Sequence, residues 1–92
     1  MKTSVREELK SAIQTMKEIV EDRSVPRNIR GAVENAMKKV DKKKLSTVDC
    51  SMAIYLLDDI SSDINMPSHT RTSIWTAISK LESVKEKIKE LE

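Results

Sequence analysis

Phenylalanine is absent from this 92-residue chain, tryptophan and tyrosine occur once each, glycine once and proline twice. So little turn chemistry excludes a hairpin-rich sheet, whose corners need residues that tolerate positive φ. Cysteine is down to Cys50 alone, which leaves no intramolecular disulfide and no thiolate cluster for zinc or an iron–sulfur centre. A reducing, cytoplasmic setting is expected. No apolar run approaches the roughly 18 residues of a membrane span, and the opening MKTSVREELKSAIQ lacks the unbroken apolar core of a secretory signal. With Gly31 the only glycine, no glycine-rich loop is available to cradle a phosphate. A net charge of +2 is too small to imply a nucleic-acid partner. At this length one domain, residues 1–92, is expected, and it is too small for a deep enclosed active site.

What the chain does hold is aliphatic: nine Ile, seven Val, six Leu, five Met and five Ala. These recur at helical spacing. Val5, Leu9, Ala12, Ile13, Met16, Ile19 and Val20 form one stripe, and Ser4 with Glu7 reads as a capping box ahead of it. Pro26 forces Val25 out of the α region, so a second helix starts at the proline, with Ile29, Ala32, Val33, Ala36, Met37 and Val40 in a second stripe. Ser46 and Asp49 cap a third helix whose apolar residues crowd on most sides, from Val48 to Ile60, and which is expected to be the most buried element. A fourth helix carries Ile74, Ile78, Leu81, Val84, Ile88 and Leu91 in a heptad-like seam. It outruns the second helix by about 24 residues to about 15, an overhang of roughly 13 Å. Ile88 and Leu91 on that overhang are expected to be wet in a monomer.

The stretch VPRNIR (25–30) returns as MPSHTR (66–71), 41 residues later. Laying residues 5–45 over 46–86 without a gap makes nine positions coincide, among them Ala12/Ala53, Asp22/Asp63, Pro26/Pro67, Arg30/Arg71 and Lys39/Lys80. The register describes two copies of one αα-hairpin, followed by an extension of the last helix over 82–92. Two units are too few for an open solenoid, so an all-α four-helix bundle is expected. In each junction the arginine is expected to reach back to the aspartate, pairing Asp22 with Arg30 and Asp63 with Arg71.

A period near 40 with two helices per unit resembles HEAT-type repeats. At VPRNIR, and more so at AIYLLDDISSDINMPSHTRTSIW, the sequence resembles an uncharacterised archaeal family of short, all-helical proteins. That resemblance covers nearly the whole chain. It implies a four-helix bundle with a bromodomain-like, up-and-down arrangement and an archaeal cytosolic setting, and it implies no activity.

Groups for catalysis are sparse. His69 is the only imidazole, and antiparallel helices would hold it roughly 20 Å or more from Cys50, so no nucleophilic pair is expected. Asp58, Asp59 and Asp63 with His69 are better explained as junction carboxylates than as a metal site. No cofactor, metal or enzyme activity is expected. The basic run KKVDKKKL offers Lys38, Lys39, Lys42, Lys43 and Lys44 to a polyanion, but no aromatic stacking platform lies near it. Trp75 stands about 130 degrees from the seam of its helix and points outward. The reading is a small helical interaction or structural module with a protein partner, and a second copy paired through Trp75, Ile88 and Leu91 is one such partner. Nucleic-acid association through residues 38–44 is the alternative.

Overall fold

Residues 3–91 are described by a computed structural model in which four α-helices, α1 (Thr3–Glu21), α2 (Arg27–Val40), α3 (Thr47–Ile60) and α4 (Ser68–Leu91), stand in a square. Each helix packs on its two neighbours in the order α1, α2, α3, α4 and back to α1, with no close approach across either diagonal among the described residues. The result is an up-and-down four-helix bundle measuring 39 × 19 × 18 Å. The apolar stripes face its axis. Ala12, Ala36, Ala53 and Ala77, one per helix, are fully buried, and their small side chains let the helices close on Met16, Ile29, Leu57, Ile74 and Leu81 between them.

The two interhelix junctions have the same hydrogen-bond plan. The Val25 and Met66 amides donate to the carbonyls of Asp22 and Asp63, and Pro26 and Pro67 each accept two amides of the helix that follows. Proline suits that position because its fixed φ starts the turn and its missing N–H has no partner to lose. The aspartate side chains anchor the plan: Asp22 takes the Ser24 amide at 2.9 Å and Asp63 the Asn65 amide at 2.8 Å. Their free oxygens then reach across to the other hairpin. Asp22 meets His69 Nε2 at 3.0 Å, and Asp63 accepts from Asn28 Nδ2 at 3.0 Å. His69 is the counterpart of Asn28, so the two bonds are reciprocal.

This arrangement corrects the expected arginine pairing. Arg30 Nε donates to the Val25 carbonyl at 3.0 Å, and Arg71 donates to the backbone carbonyls of Ser61 (3.1 Å) and Asp63 (2.9 Å), not to either carboxylate. The reason is geometric. A side chain on the first helical turn points back toward the helix N-terminus, where the carbonyls of the junction just before the helix are the nearest acceptors.

Three further expectations change. Ser4 lies inside the first turn of α1, since the helix already starts at Thr3, whereas the Ser46–Asp49 capping box at α3 forms in both directions. Ile88 is buried at 6% exposure: α1, with 19 residues, runs alongside the far end of α4, and Glu8 and Lys87 tie the two at 3.2 Å. Finally, α3 buries only Cys50, Ala53 and Leu57. A corner helix of a square bundle has two neighbours and one open side, so a helix apolar all round must leave part of itself in water.

Candidate functional site

The open side of α3 carries the most unusual surface of the described residues. Val48, Met52 and Tyr55 are 64%, 43% and 68% exposed. At spacings of four and three they form one outward stripe. Together with Leu56, Thr47, Ser51 and Lys39 of α2 they line a shallow groove of about 550 Å³. Three more large apolar side chains are exposed, Ile64 in the second junction and Trp75 and Leu91 on α4. All six belong to the second hairpin.

The first hairpin shows what these positions look like when they only meet water. Subtracting 41 residues turns Val48, Met52 and Tyr55 into Glu7, Ser11 and Gln14, all exposed, and turns Trp75 into Glu34. The bundle therefore places no packing demand for apolar residues there. Leaving Val48 and Met52 partly wet forgoes a share of the roughly 1.5–3 kcal/mol that full burial of such a side chain contributes, and the apolar ring of Tyr55 adds to the loss. Sequence periodicity alone misses this face, because in an all-apolar helix the stripe for the core and the stripe for a partner merge. The contrast with the polar counterparts in α1 is the signal that separates them.

The other candidate residues are dispersed. Trp75 and Leu91 are about half exposed, on opposite halves of α4. In the basic run, Lys38 pairs with Glu34 at 3.5 Å and Lys42 with Asp49 at 3.2 Å, while Lys39, Lys43 and Lys44 are exposed without an ion pair among the described residues. The carboxylates suggested for a metal are divided: Asp63 turns to Asn28, His69 turns to Asp22, and Asp58 and Asp59 face solvent. No group of three potential ligands converges among the described residues. Cys50 is fully buried, and burial, with some help from Asp49, pushes its thiol up to about 11. It lies at the opposite end of the bundle from His69. No helix among the described residues is long and apolar enough to cross a membrane.

Comparison with known proteins gives a consistent picture. The family described as Uncharacterised protein family (UPF0147) matches residues 1–84. A UPF0147 protein of Sulfurisphaera tokodaii is 48% identical over 79 residues, covering 85% of this chain and 89% of that protein. Another, from Methanocaldococcus jannaschii, is 49% identical over 78 residues, covering 84% of each. Among crystal structures, a protein of unknown function superimposes with a TM-score of 0.80 at 47% identity, covering 90% of this chain and 96% of that one. A member of the same family from Thermoplasma acidophilum superimposes with a TM-score of 0.80 at 29% identity, covering 86% and 94%.

Proposed function

Because the chain belongs to the Uncharacterised protein family UPF0147, to which no activity is assigned, we propose from its own surface that it is a non-catalytic protein-interaction module of the cytosol that docks partners on the second hairpin. The observation that carries this reading is the outward apolar stripe Val48, Met52 and Tyr55, set where the first hairpin places Glu7, Ser11 and Gln14. A contiguous apolar patch rimmed by charge is how a small domain recognises another protein. An aromatic such as Tyr55 supplies contact area at low entropic cost. A catalytic role finds less support, since the one thiol is buried with a raised pKa and the one imidazole is bound to Asp22 at the other end.

The alternative, contact with nucleic acid through Lys39, Lys43 and Lys44, draws on their freedom from ion pairs. One experiment divides the two. The wild-type chain, a Val48→Asp/Tyr55→Asp variant and a Lys43→Glu/Lys44→Glu variant are each used to capture partners from archaeal cytosol, with and without nuclease. The interaction reading requires capture that survives nuclease and the lysine changes and is lost in the aspartate variant. Capture abolished by nuclease and by the lysine changes, but not by the aspartates, would overturn it.

A further inference from the structure

The partner on α3 can be inferred from the charges at its two ends, an inference that rests on the interaction reading above. Lys80 and Lys39 are counterparts in the two hairpins. Lys80 Nζ donates to Ser11 Oγ at 2.7 Å and to Thr15 Oγ1 at 3.3 Å, from α4 to α1. The residues 41 positions beyond Ser11 and Thr15 are Met52 and Leu56, and both line the groove beside Lys39. At the seam of α2 with α3 the lysine is thus kept, on the first hairpin, while the acceptor positions facing it on the second hairpin have become apolar. Among the described residues the Lys39 ammonium has neither hydrogen bond nor ion pair, and it stands at the rim of an apolar groove.

A carboxylate is available on the same stripe. Val48, Met52, Tyr55 and Asp59 follow one another at four, three and four residues, a line of about 16 Å at 1.5 Å per residue. The groove has Lys39 of α2 at its side and is followed at the end of α3 by the exposed Asp58 and Asp59, while the exposed Lys44 lies in the connection that enters α3, where Asp49 is already paired with Lys42. Turned through 180 degrees, that order complements itself. We propose that α3 pairs antiparallel with α3 of a second copy about a two-fold axis near Met52 and Tyr55. Lys39 and Lys44 of each copy then meet Asp58 and Asp59 of the other, and the apolar middles close on each other. An isologous contact uses the one patch twice and closes as a dimer. A parallel pairing would set lysine against lysine, and a nucleic acid laid along the stripe would meet two aspartates.

A seam of this length is at the small end for a specific interface, so sedimentation equilibrium of the full chain over roughly 10–500 μM at low salt is the suitable measurement. The wild type is expected at twice its 10.5 kDa mass. Asp58→Lys/Asp59→Lys makes both ends basic and Lys39→Glu/Lys44→Glu makes both ends acidic, so each variant alone is expected to be monomeric. A one-to-one mixture of the two restores both sets of attractive pairs and is expected to return to the doubled mass. A monomeric wild type, a dimer indifferent to both reversals, or a mixture that stays monomeric would overturn the proposal. If the wild type is monomeric while capture still depends on Val48 and Tyr55, self-pairing fails and the interaction reading stands; if that capture is absent too, both fail.

Discussion

Thr70 is 1% exposed, yet its hydroxyl has no hydrogen-bond partner among the described residues. Its counterpart in the first hairpin is Ile29, an aliphatic residue buried in the core. A buried polar group left unpaired costs about 1–3 kcal/mol, and an apolar group of the same shape removes that cost. Thr70→Val is therefore expected to raise stability by about 1 kcal/mol, read as a higher urea midpoint; a lower midpoint would mean that the hydroxyl is in use. Cys50 makes a second prediction at this scale. Its burial and its pKa near 11 leave almost no accessible thiolate at pH 8, so a thiol reagent is expected to modify the native protein only as fast as the helix pair opens, and at once in denaturant.

The corner arginines act at the level of the element, by terminating it. Arg71 supplies donors to the carbonyls of Ser61 and Asp63 in the junction that follows α3, and Arg30 supplies one in the first junction. A hydrogen bond from a charged donor contributes about 1.5–3 kcal/mol, and lysine keeps the charge while losing the fork. Arg71→Lys is thus expected to lower the unfolding free energy by about 2 kcal/mol, and Arg30→Lys by about half of that. Four helices and their inward faces were legible in the sequence because a 3.6-residue stripe follows directly from burying one side of a rod. The partners of the arginines were not, since the direction of a junction's carbonyls is set only once the chain has turned between two placed helices. Nor was the burial of Ile88: the overhang of α4 was measured against α2, while the element beside it is α1. The wet face of α3 was hidden for a related reason, as apolar residues on all sides of a helix carry no direction.

On the scale of the whole molecule, carboxylates set the response to acid. Asp22 is lowered from its ordinary 3.8 to about 2, chiefly by the Ser24 hydroxyl and then by His69 and the Ser24 amide. Asp49 is lowered by the Ser46 amide first, and Glu8 by the Ser83 hydroxyl first and then by Lys87. A carboxyl group whose folded pKa lies below its unfolded value gives stability that is complete above the unfolded value and is lost as pH falls through the folded one. The urea midpoint is therefore expected to hold from pH 7 to about 5 and to decline steadily from pH 4 toward pH 2. Because Asp22 and Asp63 link one hairpin to the other while Asp49 caps α3, the decline is expected in a single cooperative transition, seen alike by circular dichroism and by Trp75 fluorescence. Ser24→Ala is expected to move the acid limb to higher pH more than His69→Ala does, in the order of their effects on Asp22.

Ser4 and Val5 at the start of α1 sit against Glu90 and Leu91 at the end of α4, and this edge lies at the same end of the bundle as the 41–46 connection between the hairpins. A short tether across that edge would make the backbone a closed circle, and opening it at Lys43 would give a circular permutant in which α3 and α4 precede α1 and α2. Every helix would keep both of its neighbours. Such a permutant is expected to unfold at a urea concentration close to that of the parent, because in a ring of four rods the place where the thread is cut is a matter of convenience.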